Sequence, residues 1–459
     1  VKTRHRILRH IEGRAWLYAL GVMFRFALEL GYKDFVVPFY EGYGFVLAEN
    51  PAKYLESWVL YVGLLLFLPA RIRKPSDFLV CLTFFCYVAP LLVFYGAADK
   101  SRWALYCVLV QYALMCMVRA GRPFRMPVVR NGPVIALIVA ISGVAIAATW
   151  MIASGALATF NLNLNAVYEF REDAGKAINI GVLSYIVIWA PAVFSPFLLM
   201  RALRNGQRTM ALGVVLLHVF WFGMTASKAV LFFPALVIFL HTLFKYSRAL
   251  SLIPAGLSLV VMGALTSYYA TDSLFLSGMF VRRVFFTTSQ LTFTYFEFFE
   301  QNPLVYWSNS FLSWLVTYPY DRAVPFVIGN YLGDPTGFAN NSFFSTGYMQ
   351  AGYAGVVIYG LVSGALLKVI DSLVSTAVPL WMSLSIVVVP WFTLVTSADL
   401  TVGLLTHGLG FAIVMLYLMK VPSEARRSGV GAVGQGGKST PPGPPRVVSS
   451  HDIQQEAAV

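Results

Sequence analysis

Charge is what this sequence has least of. Only 12% of its 459 residues are Asp, Glu, Lys or Arg, about half the share of roughly 25% in a globular chain. Hydrophobic residues make up 58%. A water-soluble core of this length cannot bury that much apolar surface while showing so little charge. Soluble enzymes, nucleic-acid modules, coiled coils and disordered proteins are excluded on that ground. Cysteine is scarce too. Cys81, Cys86, Cys107 and Cys116 all lie in apolar runs, with no C-x-x-C pair and no His cluster, and they read as small buried hydrophobes rather than metal or redox groups. A Walker loop, H-E-x-x-H, G-x-S-x-G and metal-spaced carboxylates are all missing, which counts against a nucleotide-driven pump and a metal-dependent hydrolase. No metal site and no cofactor is expected.

What the sequence does have is long apolar runs. A helix crosses a bilayer with roughly 20 such residues. About 12 runs qualify: 15–31, 54–70, 78–96, 103–118, 133–153, 179–200, 209–224, 227–244, 249–269, 347–367, 376–396 and 401–419. The expected fold is an all-α polytopic integral membrane protein. The first span is interrupted by Arg25 and Glu29, and the seventh and eighth are short. Ala15–Gly31 lacks a small-residue cleavage site and is expected to be a retained helix rather than a signal peptide. The net charge of +13, from 34 basic and 21 acidic residues, is unevenly placed. The N-terminus, Arg71 to Lys74, Arg119 to Arg130, Arg201 to Arg208, Lys245 to Arg248, Lys368, and Lys420 to Arg427 occupy alternate loops. This positive-inside pattern predicts that both termini are cytoplasmic. Three regions follow: a basic arm at 1–14, a transmembrane body at 15–420, and a Gly- and Pro-rich tail at 421–459 that is expected to be disordered.

Two segments on the other side, 154–178 and 270–346, are too long for plain connectors. The second is dense in aromatics from Tyr268 to Tyr320. Short helices lying on or dipping into the outer face are expected there; an aromatic belt at headgroup level is the plainer reading. Lys100, Arg102, Arg171, Lys176, Lys228, Arg282, Arg283 and Arg322 are read as the basic residues of that side. Arginine forks bind phosphate oxygens bidentately and stay charged. Converging arginines at the outer face suit a lipid-linked pyrophosphate, both for binding it and for stabilising it as a leaving group. Each arginine also has an ordinary explanation, snorkelling or pairing with Glu169, Asp173 or Glu297. Lys228, at a turn between two short helices, is either a further phosphate contact or a helix-end lysine. Activating a sugar hydroxyl needs a carboxylate or His. Asp399, in Thr396-Ser-Ala-Asp399 between two nearly uncharged helices, is the leading candidate, Glu169 is the second, and His407 inside the next helix reads as a packing residue. The stretch around Asn340, Asn341 and Tyr348 supplies amides and a phenol suited to sugar hydroxyls, followed by glycines suited to helix packing.

Four segments carry a resemblance: Tyr168-Glu-Phe-Arg171, the Phe222-Gly-Met-x-x-x-Lys228 turn, Arg282-Arg283-Val-Phe-Phe, and Asn340-Asn341-Ser-Phe-Phe-x-x-x-Tyr348-Met-Gln-x-Gly352-Tyr353-x-Gly355. In order and topology, over roughly residues 15–420, the chain resembles the Wzy-type O-antigen or oligosaccharide repeat-unit polymerases of bacterial envelopes. The resemblance implies a GT-C-like glycosyltransferase of the inner membrane, working at the periplasmic face without nucleotide sugar or metal. It implies undecaprenyl-pyrophosphate-linked oligosaccharides and the lipid bilayer as partners, with a chain-length regulator and a flippase as further candidates and no nucleic acid. In such enzymes loop arginines are essential, and Arg171 and Arg282 take those positions, with Arg283, Arg322 and Lys228 beside them. One departure is that Phe293 stands near the point where some members carry a glycine. A flippase or transporter and an O-antigen ligase are the alternatives.

Overall fold

The structure is a computed structural model that describes residues 13–48, 50–163, 181, 183–374 and 378–420. Arg171, Lys176, Glu169 and the rest of the Tyr168–Asp173 segment lie outside the described residues, as do the basic arm up to residue 12 and the tail at 421–459. No strand occurs among the described residues, which hold two isolated β-bridges.

The chain starts with α1 (Arg14–Gly31), which continues through a π-helical turn (Tyr32–Val36) to Val37–Tyr40, and then α2 (Pro51–Phe67). Next come α3 (Pro75–Ala97), α4 (Arg102–Ala120), α5 (Gly132–Ala153), α6 (Leu183–Arg204), α7 (Arg208–Thr225), α8 (Ala229–Tyr246) and α9 (Leu252–Thr271). Then follow α10 at 274–301, α11 (Val324–Tyr331), α12 (Phe343–Leu373), α13 (Leu380–Ser397) and α14 (Leu400–Leu418). Ten of these, α3 to α9 and α12 to α14, are long and apolar enough to cross a membrane, so the protein is a multi-pass membrane protein. The two remaining expected spans form helices below that standard. α2 has 17 residues, and α1 carries two charges inside the bundle. Arg25 is fully buried; its Nε donates to Glu29 Oε1 at 2.9 Å, its Nη2 donates to Ser57 Oγ at 2.7 Å, and its guanidinium faces the Trp58 and Tyr61 rings. Pairing makes charge tolerable at that depth.

The loops expected to share one side meet at one end of the bundle. Arg71 bridges to Ala249, Lys74 pairs with Asp371 at 2.8 Å, and Arg119 pairs with Asp77 at 3.0 Å. Lys420 Nζ donates to the Met126 carbonyl. Asp77 also caps the start of α3 by accepting from the backbone N–H groups of Arg73 and Lys74. The loops at the opposite end are tied in the same manner, with Lys53 paired to Asp99 at 2.7 Å and Ala48 N–H bonded to the Ala97 carbonyl. Lys33 and Lys53 belong to this end as well and extend the set of basic residues read for it.

Helix contacts depend on small residues where backbones come close. Gly360-x-x-x-Gly364 on α12 lies against α4, where a Cβ at Gly364 would come within 2.7 Å of the Met115 carbonyl oxygen. This is the small-residue packing used between membrane helices. α12 itself is folded sharply. Gly352 adopts φ +59, and a Cβ on Gly355 would fall on the Gly347 carbonyl oxygen, so the buried turns at 343–350 fold back against 353–373 as a helical hairpin. Phe343 and Phe344 reach the bundle interior, where Phe344 stacks on Tyr87 with ring centroids 4.7 Å apart.

The second long segment departs most from expectation. It holds one short, partly exposed helix, α11, but most of it is α10, about 40 Å long at 1.5 Å per residue. α10 leaves the end of α9 and crosses the bundle. Phe285 meets Phe24, Phe286 meets Tyr32, Phe293 meets Phe94, and Phe296 meets Trp103 at the start of α4. Both of its ends therefore lie toward the end away from the basic loops. The aromatics of α10 that suggested an interfacial belt are mostly packing groups instead, whereas Tyr269, Tyr306 and Trp314 are exposed. The polar residues among them cost little, because the hydroxyls of Ser289, Thr292 and Thr294 bond back to carbonyls four residues earlier. Residues 278–287 of α10 are π-helical and pack against the π-helical turns of α1 and α3. Wide turns of this kind often accompany functional sites.

Candidate active site

The N-terminal half of α10 carries the cations. The Arg282 guanidinium lies over the Tyr40 ring, 4.1 Å from its centroid, with the Tyr43 ring at 5.7 Å. The loop supplying these rings is short and glycine-rich. A single 3₁₀ turn (Glu41–Tyr43) ends at Gly44, whose φ of +84 favours glycine. Gln290, two turns beyond Arg282, donates to the Tyr43 carbonyl and pins the loop to α10. Arg282 Nε is buried with no hydrogen-bond partner, and no carboxylate pairs with Arg282 among the described residues. Stacking on rings orients a guanidinium while leaving its N–H edge open to an anion.

Arg283 follows and is exposed. Lys228 enters from the turn between α7 and α8, its Nζ 5.4 Å from the Phe275 ring centroid. Phe232 against Phe280 holds α8 on the same stretch of α10. Lys228 and Arg282 thus serve points on α10 seven residues apart, roughly 10 Å along the axis. Arg322 is not part of this group. It is exposed, donates to the Pro335 carbonyl and lies 3.7 Å from Asp321. Its neighbour Tyr320 packs on Phe298, about 24 Å along α10 from Arg282 at 1.5 Å per residue. Burial pushes the Tyr320 phenol up to about 12, so that group stays neutral.

The other side of α10 faces the turn that holds Asp399. Thr288, six residues beyond Arg282, donates to the Thr396 carbonyl, and Asn340 donates to the Ser397 carbonyl. Asp399 is 9% exposed, and its carboxylate is fully engaged. Oδ1 accepts from the backbone and hydroxyl of Thr401, capping α14, and Oδ2 accepts from Tyr359 Oη at 2.9 Å. Trp307 Nε1 donates in turn to Tyr359 Oη at 3.0 Å, completing a Trp307–Tyr359–Asp399 chain. Tyr306 and Trp307 adopt φ of +50 and +55, a strained region for bulky residues, and are held there as the Tyr306 N–H donates to the Gln350 carbonyl and the Trp307 N–H to Gln350 Oε1. Burial, and then the nearby Asp399 carboxylate, hold the Tyr295 phenol well above its usual range. A carboxylate bound in this way is well oriented, and Tyr359 is the one side-chain donor from another helix that a reacting hydroxyl could displace.

The amide nitrogens expected at a glycan are committed within the protein. Asn340 bonds the Asp399 turn, and Asn341 donates to Thr292 and Ser345 in the interior. Tyr348 is 7% exposed among Phe296, Trp103 and Tyr353. His407 lies in the break of α14 at Thr406–Gly408. Sequence reasoning missed Tyr40, Tyr43, Gln290, Trp307 and Tyr359. The Tyr40-Glu-Gly-Tyr43-Gly44 cluster between two apolar runs was a visible signal for the first pair. Nothing local marked Tyr359, an ordinary residue in an apolar helix. Compared with protein-family models, curated proteins and solved structures, the chain matches none.

Proposed function

We propose that this protein is a glycosyltransferase of the bacterial inner membrane that polymerises undecaprenyl-pyrophosphate-linked oligosaccharide repeat units at the periplasmic face. Both termini are cytoplasmic in this reading, so the basic end faces the cytoplasm. The observation that carries it is Arg282: a guanidinium stacked on two tyrosines, its Nε buried and unpartnered, at the end away from the basic loops. The resemblance in the loop segments points to the same chemistry. Arg282, with Arg283 and Lys228 beside it and Arg171 from the first long segment, binds the donor pyrophosphate. An acceptor sugar hydroxyl attacks the donor's anomeric carbon, the new glycosidic C–O bond forms, and the bond to the pyrophosphate breaks. The pyrophosphate departs on its lipid as an anion neutralised by the guanidiniums. The hydroxyl proton passes to a carboxylate, Asp399 or Glu169, and direct attack inverts the anomeric centre. Asn340 supports the Asp399 turn, while Asn341 and Tyr348 are buried packing groups and Arg322 stands apart from the Arg282 cluster. The test is extension of a synthetic lipid-linked repeat unit by the purified protein; normal chain lengths from an Arg282→Ala variant would defeat the assignment.

A transporter of the same lipid-linked glycan is the second reading, favoured by the buried Arg25–Glu29 pair, whose Arg25 Nη1 has no partner. A deletion strain separates the two: surface lipid capped with single repeat units indicates failed polymerisation, whereas complete loss of the glycan indicates failed export.

A further inference from the structure

Apart from the Arg282 site, α1 and α9 enclose a groove of about 600 Å³ that opens sideways from the bundle. Its walls change character along their length. Met23, Phe26 and Leu30 on α1 and Leu259 and Met262 on α9 are exposed apolar groups, Leu259 at 74%. At the end away from the basic loops the lining turns to Glu29, Lys33 and Asp34. From Met23 to Asp34 is 11 helical residues, about 16 Å at 1.5 Å each, or half the roughly 30 Å hydrocarbon core of a bilayer. One end therefore lies near the midplane and the other at the headgroup level of a single leaflet.

The charges identify the headgroup. Glu29 accepts from Arg25 and from Tyr54 Oη at 3.0 Å, while Asp34 accepts from Tyr269 Oη at 2.9 Å through one oxygen. Lys33 rests 5.8 Å from the centroid of the Tyr54 ring. With Glu29 neutralised by Arg25, the lining offers one open carboxylate, Asp34, and one ammonium, Lys33. A pyrophosphate, or an anionic lipid without an amine, would meet Lys33 but also the uncompensated Asp34 beside it, whereas a zwitterion meets a partner at both of its poles.

We propose that this groove binds one glycerophospholipid with a primary-ammonium headgroup, in the leaflet away from the basic loops. The ammonium lies against Asp34, the phosphodiester against Lys33, and one acyl chain runs along Met23, Phe26, Leu30 and Leu259. The site is independent of the polymerase reading and stands if that reading fails.

The test uses the full chain purified in detergent and stripped of lipid. Bound lipid is read by native mass spectrometry, and thermal unfolding is followed as phosphatidylethanolamine, phosphatidylcholine, phosphatidylglycerol or undecaprenyl phosphate is titrated in. Phosphatidylethanolamine is expected to bind at least about tenfold more tightly than the others and to raise the melting temperature, since a ligand bound only by the folded state stabilises it. Asp34→Asn keeps an acceptor for Tyr269 and removes the charge, so it should abolish the preference. Leu259→Trp fills the groove from an exposed position and should remove the tight site altogether. Equal affinity for all four lipids would mean ordinary annular contact and overturn the proposal. So would tighter binding of undecaprenyl phosphate, or an unchanged preference in Asp34→Asn.

Discussion

At the basic end of the bundle, Arg119 donates to Ser76 Oγ and pairs with Asp77, and Lys74 pairs with an Asp371 side chain that is 2% exposed. At the opposite end, Arg282 rests on Tyr40 and Tyr43 with its Nε unpartnered. Lys228, Lys100 and Lys33 at that end likewise face rings, those of Phe275, Phe94 and Tyr54. A cation beside a carboxylate is neutralised and serves to hold loops together. A cation on a ring face keeps its charge for an incoming anion. The division is not complete, since Lys53 pairs with Asp99 and Arg102 with Glu56 at the far end and Lys368 lies over Phe124 at the basic end, but the distinction marks Arg282 as the cation placed to receive an anion.

The sharpest way to break the contrast is Arg282→Ala, expected to lower lipid-linked glycan extension by at least about 100-fold, in the range for losing one oriented charge at a leaving group, with an unchanged gel-filtration profile. Arg282→Lys should recover only part of that loss, since an ammonium keeps the charge but not the planar fork. At the basic end the effects should be reversed. Asp371→Ala strips the partner from Lys74 and from Ser76 and should cost on the order of 3 kcal/mol of stability, seen as a lower melting temperature, with activity per folded molecule intact. A smaller effect is expected for Tyr359→Phe, which keeps the ring but leaves Asp399 Oδ2 and Trp307 Nε1 without their partner: about 2 kcal/mol in stability, and roughly a tenfold fall in kcat at constant KM if Asp399 takes the acceptor proton.

The smallest effect concerns the exposed Lys53–Asp99 tie. Hydrogen bonds from Lys53 and then Asn50 hold the Asp99 carboxyl below its usual range. A carboxylate depressed in this way stabilises the fold above the unfolded value, near pH 4, and loses that contribution as pH falls through the folded value. The melting-temperature gap between the wild type and Asp99→Asn should therefore be small at neutral pH and close under acid conditions.

The helical membrane-spanning architecture was legible because burial in lipid demands apolar runs of bilayer length, and the runs for α3 to α9 and α12 to α14 stand where helices form. Loop sidedness was legible for a related reason, since Arg71, Lys74, Arg119 and Lys420 are grouped in short loops and those loops do meet. The candidate site was legible only in part. Arg282 could be singled out, with Arg283 beside it, as one of the few basic residues outside the basic loops and by the resemblance. Its partners could not, because Tyr40 lies more than two hundred residues away and reaches it through the packing of α1 on α10.

The division follows from the range of the forces involved. Hydropathy and loop charge act residue by residue against the solvent, so the chain's own order determined that this is a many-helix membrane protein with one basic end. Tertiary structure alone decided that α10 lies inside the bundle rather than on it, that α12 doubles back at Gly352, and that Asp399 is bound by Tyr359. Each of these depends on shape matching and hydrogen bonds between segments far apart in the chain, and no local pattern encodes which distant surface a helix will meet.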